Sequence, residues 1–374
     1  MTAIKIVHLT SVHSPFDTRI FQKECIAGLR GGFNVVLVVS PDLNEKVDGI
    51  VIRGAGWQMG GRFSRMLVAA WKVYNIALKE NGDLYHIHDP ELLPWAQLLR
   101  LKGKAVIFDM HENLPKAILS KGWVPLTFRS LFSFIARMIE HLLLTGIPVI
   151  FAENSYVKDY LWVSDKVVIL NMPDVDHLDK ITDNCYQTPT VGYMGIVAPE
   201  RGSITTLKAI TELRKKGFDL HYECIGPIRG NDHQNIFRNM SEHERKSIRL
   251  RGYMKPQEGW KIIKRCHIGL AVLHAVPNYV ESYPTKMFEY MALGLPVIVS
   301  DFPLYRKIID KYKCGICVDP QDVDSIALAI QQLIENKAEA LAMGKRGKKA
   351  VFESFNWGCE TKKLLHFYEK ILGY

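Results

Sequence analysis

A chain of 374 residues with 48% hydrophobic, 23% charged and 10% aromatic residues can bury two separate cores, and is neither a disordered nor a fibrous sequence. Its seven cysteines are odd in number and scattered through apolar stretches, which excludes a disulfide framework and fits reduced thiols in a cytoplasmic protein. The net charge of +9 calls for an anionic partner, but no paired zinc ligands and no aromatic-glycine RNA signature accompany it, so nucleic acid is not expected.

In chain order, β-branched runs at 4–9, 34–39, 84–88, 105–110 and 149–152 predict strands of a first sheet, with helical stretches such as 20–30 between them and Gly31-Gly32 as a helix stop. The segment 172–188 is rich in Asp, Asn and Pro and reads as a linker. A second strand series follows at 191–194, 220–225, 247–252, 268–273, 297–300 and 315–318, again alternating with helices. The carboxyl-terminal run 357–372 has apolar residues at helical spacing and predicts a packing helix. No run of about eighteen apolar residues predicts a membrane span, and the first residues do not read as a signal peptide.

This pattern predicts an α/β protein of two Rossmann-like, doubly wound domains facing across a cleft, residues 1–175 and 176–354, with 355–374 packing back on the first domain. Functional residues are then expected after strands, at their carboxyl ends.

The segment 278–301 joins a strand to a helix to a strand. Pro284 suits the first helical position and Gly294 the helix end, which leaves unpaired backbone N–H groups at Thr285 and Lys286. Such a helix start favours phosphate, and the Lys286 ammonium adds charge. Glu281 precedes the helix and Glu289 lies within it. Acids beside an anion site repel phosphate but accept hydrogen bonds from sugar hydroxyls.

The Glu281 to Glu289 spacing, followed by Tyr-Met-Ala-Leu-Gly294-Leu-Pro296-Val-Ile, resembles the donor-site signature of the retaining family-4 glycosyltransferases of group 1, which have the GT-B fold. The resemblance extends to His8 through Arg19, Tyr85-His86-Ile-His88-Asp89, Asp109-Met-His111-Glu112 and Gly192-Tyr-Met-Gly195 through Arg201-Gly202. It implies transfer of a hexose from a nucleotide-diphosphate sugar to a glycan or lipid-linked glycan acceptor, in polysaccharide or glycolipid biosynthesis. By the same resemblance, Glu289 accepts ribose hydroxyls, Glu281 faces the hexose, Arg201 pairs with the diphosphate, and His88 contacts the transferred sugar. Gly195, Tyr283, Thr285 and Met287 complete the donor site, while Asp17, Arg19, Asp89 and His111 are assigned to the acceptor or cleft. His86 is assigned to the core, facing away from His88. The family's usual Arg after the glycine is replaced by Ile196, so Lys286 is expected to share the phosphate work with Arg201.

Retention in this family is attributed to front-face attack in which the departing diphosphate takes the acceptor proton, so no enzyme nucleophile is expected. No cofactor and no metal ion is expected either: Asp174-Val-Asp176 and Asp322-Val-Asp324 have the spacing of a metal-binding triplet, but read as linker and helix cap. The apolar-basic stretches 57–78, with Arg62, Arg65 and Lys72, and 121–144, with Trp123, Phe128, Arg129, Phe132, Phe134 and Arg137, suit either helices covering the first sheet or peripheral attachment to an anionic membrane. The competing functions are a sugar-nucleotide epimerase and a catalytically silent sugar-nucleotide-binding subunit. A dinucleotide oxidoreductase ranks last, since no Gly-x-Gly-x-x-Gly follows the first strand.

Overall fold

Short runs of Val, Ile and Leu that are buried on both faces pair as parallel strands, because helices cover both sides of the sheet they form. The computed structural model describes residues 4–57, 64–120, 124–230 and 241–374. The chain divides into two compact units, Met1–Asn171 with Trp357–Tyr374, and Met172–Asn356. The first division falls four residues before the expected boundary at 175, and the second two residues after 354. The expected linker contains a helix, Val175–Asp179, whose start Asp174 caps by accepting the Asp176 N–H.

The first unit holds an eight-stranded sheet of β1 (Lys5–Thr10), β2 (Asn34–Val39), β3 (Glu45–Val47), β4 (Ile50–Gly54), β5 (Leu84–Ile87), β6 (Ala105–Met110), β7 (Val149–Phe151) and β8 (Lys166–Val168). Its order is β3-β4-β2-β1-β5-β6-β7-β8, parallel throughout except for the β3–β4 hairpin. The helical stretch 20–30 is a π-helix, Ile20–Cys25, continued by an α-helix, Ile26–Arg30. The carboxyl-terminal helix Trp357–Leu372 belongs to this unit, where Leu364, Phe367 and Tyr368 pack with Ile6, Leu84, Ile107 and Ile150.

The second unit holds six parallel strands, β9 (Thr190–Met194), β10 (His221–Ile225), β11 (Ile248–Leu250), β12 (Ile268–Ala271), β13 (Val297–Ser300) and β14 (Gly315–Val318). Their order, β11-β10-β9-β12-β13-β14, is the doubly wound dinucleotide-binding order, with β9 as the first strand. The chain winds one way from β9 to β10 and the other way to β12. In such sheets ligands bind outside the carboxyl ends of the two strands at this reversal.

Candidate active site

Two loops meet at the reversal in the second unit, one after β9 and one after β12. Gly195 follows β9 with φ of 145°, a conformation that glycine adopts and other residues resist. Its N–H donates to the Ile225 carbonyl at 2.8 Å. Lys286 comes from the other loop, as the second residue of the helix Thr285–Ala292, and its side chain lies directly against Gly195. The ammonium also lies over the Tyr193 ring, 5.4 Å from its centre, and the Tyr193 hydroxyl donates to the Ile196 carbonyl at 2.6 Å. The end of β9 is pinned to the same helix by the Met194 N–H, which donates to Tyr290 Oη at 2.9 Å.

Arg201 closes a 3-10 turn, Pro199–Arg201, and its guanidinium stacks 5.5 Å from the Tyr279 ring centre. Burial and then the Arg201 charge push the Lys286 ammonium down to about 8, although Glu289, one turn further along the helix, pulls the other way. Two cations confined at a helix start form a site that an anion relaxes, since a diphosphate supplies the missing counter-charge.

The helix is shorter than expected. Pro284 is its cap, with ψ of 104°, rather than its first residue, and the helix runs for eight residues. Gly294 ends it as expected, with φ of 80°. Glu281, Tyr283, Thr285, Lys286 and Glu289 are all half-buried. Met287 departs from expectation: it is fully buried in the core, so only its backbone is left for a donor. Tyr193 and Tyr290 were not singled out in the sequence, although Tyr193 stands in the Gly-Tyr-Met-Gly run that carries part of the family resemblance.

The Asp-x-Asp triplets are caps. Asp322 accepts the N–H groups of Asp324 and Ser325 at 2.9 and 3.2 Å, as Asp174 does for Asp176.

The first unit gathers its polar residues at its own reversal, between β1 and β5. Here the expectations need correction. His86 does not face away from His88: positions two apart on a strand share a face, and the two rings stand 4.4 Å apart. His88 is enclosed rather than presented to a ligand, with 1% of its surface exposed. Its Nε2 meets His8 Nδ1 at 3.0 Å, and its Nδ1 lies 3.4 Å from Asp109 Oδ2. Burial pushes its imidazole down to about 4, so it is neutral at physiological pH.

Arg19 likewise turns inward. It grips both oxygens of buried Asp109 at 2.9 and 2.8 Å and donates to the Ile169 carbonyl at 3.1 Å. Against the cost of burial, this guanidinium holds the Asp109 carboxyl well below the usual range. Asp17 caps the following helix by accepting the Arg19 and Ile20 N–H groups at 2.8 and 3.0 Å. Asp89 braces the loop after β1, accepting from Thr10 Oγ1 and from the Ser11 and Val12 N–H groups. The partly open members of the cluster include His111, whose Nε2 meets Asp109 Oδ2 at 2.7 Å, His13 and Asp17. Despite burial, Asp17 and Asp89 flanking His13 raise it to about 10, so it carries a charge.

The helix Leu126–Leu144 buries only Glu140 and Leu144, while Leu126, Phe128, Leu131, Phe134, Met138 and Leu142 are exposed. It is therefore not simply a core helix covering the sheet. Arg62, Lys121 and Trp123 lie outside the described residues. Among the described residues no helix is long and apolar enough to cross a membrane.

Residues 178–350 match the family model described as glycosyl transferases group 1. A phosphatidyl-myo-inositol mannosyltransferase of Mycobacterium leprae is 23% identical over 297 residues, covering 77% of this chain and 74% of that protein. Among solved structures, the sucrose-phosphate synthase of Thermosynechococcus elongatus superposes with a TM-score of 0.73 at 16% identity, over 99% of each chain. Anabaena HepE in complex with UDP and glucose does so with a TM-score of 0.68 at 14% identity, over 98% of this chain and 99% of that one. Residues 178–350, just under half of the chain, thus match the glycosyl transferases group 1 model, and the fold is that of the GT-B glycosyltransferase structures.

Proposed function

We propose that the protein transfers a hexose, with retention of configuration and without a metal ion at the reacting centre, from a nucleotide-diphosphate sugar to a glycan or lipid-linked glycan acceptor. The observation that carries this is Lys286, packed against Gly195 at the start of the helix Thr285–Ala292 and within reach of the Arg201 charge. As the glycosidic bond breaks, negative charge grows on the leaving diphosphate. Two fixed cations and the helix start stabilise that charge with no rearrangement, and take the place a divalent ion would otherwise fill. Glu289 accepts ribose hydroxyls and Glu281 hexose hydroxyls, each a carboxylate acceptor flanking the anion site. Acceptor recognition falls to the first unit, where His111, His13 and Asp17 are among the partly open polar groups.

The relative from Mycobacterium leprae is named for a lipid substrate. In this chain the exposed apolar face of Leu126–Leu144, with Arg129 and Arg137 on the same helix, supports reversible attachment to an anionic membrane surface, where a lipid-linked acceptor would lie.

Thermal unfolding of the purified protein with UDP, GDP, ADP and their hexose conjugates, each with and without chelator, tests the donor site. Binding to the folded state alone raises its apparent stability. One nucleotide should raise Tm irrespective of chelator, and Arg201→Ala and Glu289→Ala should abolish the rise. A rise that needs a divalent ion would refute the metal-free mechanism, and no rise with any nucleotide would refute the donor site. The anomeric configuration of the product, read by NMR, decides retention.

A further inference from the structure

The first unit contains a sealed group of side chains that nucleotide-sugar binding does not use. His8 on β1 and His86 on β5 are register partners in adjacent strands, and Glu24 reaches them from the helix Ile20–Cys25. All three are fully buried. Together with His88 they can place one nitrogen or carboxylate oxygen each within 4.8 Å of the others. His8 Nε2, His86 Nε2 and both Glu24 oxygens are buried and have no hydrogen-bond partner.

The surrounding hydrogen bonds decide which atoms carry lone pairs. Asp109, ionised by its pairing with Arg19, can only accept, so the His88 Nδ1 beside it carries hydrogen and His88 Nε2 is bare. The His8 Nδ1, 3.0 Å away, must then donate to it, which leaves His8 Nε2 as an unprotonated nitrogen. His86 Nδ1 lies 2.8 Å from Tyr368 Oη, a hydrogen bond that lets Nδ1 carry the proton and leaves Nε2 bare as well. Arg19 Nε already donates to Asp109, so its 3.0 Å approach to Glu24 Oε1 neutralises charge without supplying a hydrogen bond. Glu24 Oε2 lies 3.6 Å from His88 Nδ1 and 4.0 Å from His86 Nε2.

Two imidazole lone pairs and a carboxylate, each held by a partner behind it, make a donor set for a divalent first-row transition ion. Tyr368, on the carboxyl-terminal helix, and His88 are those partners for the two imidazoles. We propose that His8, His86 and Glu24 bind a structural ion of the zinc class, enclosed as the first unit folds and tying β1, β5, the helix Ile20–Cys25 and, through Tyr368, the carboxyl-terminal helix together. The enclosure leaves no position open to substrate, so the ion is separate from the sugar-transfer chemistry of the second unit.

The test uses the full untagged chain, expressed with supplementary zinc, passed over a chelating resin and analysed for metal. A second sample is unfolded with chelator and refolded with cobalt(II). The expected result is about one equivalent of zinc as purified and, after refolding, the visible absorption of cobalt(II) in a nitrogen and oxygen site of low coordination number. His86→Gln should lower the metal content to background, and His366→Gln, on an exposed residue, should leave it unchanged. Wild-type protein that is folded, metal-free as purified and colourless after refolding with cobalt(II) would overturn the proposal and assign the cluster to a proton on Glu24. This reading needs only the wild-type chain, so it holds even if His86→Gln fails to fold, and it is independent of nucleotide binding.

Discussion

The side chain of Lys286 fills the space that any side chain at Gly195 would need: a β-carbon built on Gly195 would stand 2.1 Å from Lys286 Cε and 2.6 Å from its Nζ. The glycine and the lysine come from loops after different strands, and each makes the other's position possible.

Gly195→Ala therefore tests the donor site without removing a charge. The new methyl group displaces the Lys286 ammonium, and a φ of 145° adds backbone strain of about 1–3 kcal/mol. Nucleotide affinity should fall about tenfold or more, equivalent to about 1.4 kcal/mol or more, as read by calorimetric titration. Affinity equal to wild type would show that Lys286 does not hold the diphosphate.

The depressed Lys286 ammonium predicts a pH dependence with a definite sign. In the folded, unliganded protein it titrates near about 8 against an ordinary value of 10.5, and only the protonated form attracts a diphosphate. Nucleotide affinity should be level below about pH 8 and weaken above it, a fall that Lys286→Met should remove. Between about pH 8 and 10.5 the unfolded chain binds more protons, so the penalty Lys286 imposes on folding is complete below about 8 and disappears as pH rises to 10.5. At neutral pH Lys286→Met should raise Tm by about 2–4 °C, as for about 1 kcal/mol.

Arg19 was expected at the acceptor or cleft but pairs with Asp109 inside the first unit. Arg19→Met leaves a buried carboxylate without its partner, and should cost about 3–5 kcal/mol in urea denaturation. Nucleotide affinity, measured below the new unfolding transition, should not change. Wild-type stability combined with a raised acceptor KM would return Arg19 to the acceptor site.

The exposed apolar face of Leu126–Leu144 predicts binding to vesicles that contain anionic lipid. Replacing both Leu131 and Phe134, each exposed, by Ser removes apolar surface worth about 1.5–3 kcal/mol per side chain when fully buried. Co-sedimentation with phosphatidylglycerol vesicles should weaken about tenfold or more, with nucleotide affinity unchanged. Equal sedimentation of variant and wild type would remove this helix from membrane attachment.

Much of the fold was legible because its signals are local. All six strands of the second unit fall where β-branched runs predict them, and the carboxyl-terminal helix spans 357–372 as its spacing implies. The missed strands were short. β3 and β4 are three and five residues long, yet Asp48-Gly49 between them, with φ of 50° and 89°, is a two-residue hairpin turn that the sequence displays. β8, three half-buried residues, carries no comparable signal.

The helix start within the segment 278–301 was readable for the same reason. Pro284, Lys286, Glu289 and Gly294 lie within one strand-helix-strand unit, and their spacing alone sets a helix start beside charged side chains. The amino-terminal cluster was not readable in this way. A His, Arg or Asp after a strand reads identically whether it faces a ligand or a buried partner, and the choice rests on residues far along the chain. Arg19 turns inward because Asp109 and the Ile169 carbonyl await it, and His86 is oriented by Tyr368 from the last helix. Local spacing determined which residues stand at the carboxyl ends of strands. Packing between distant segments decided which of them remain at the surface, because burying a charge is tolerable only where another part of the fold supplies its partner.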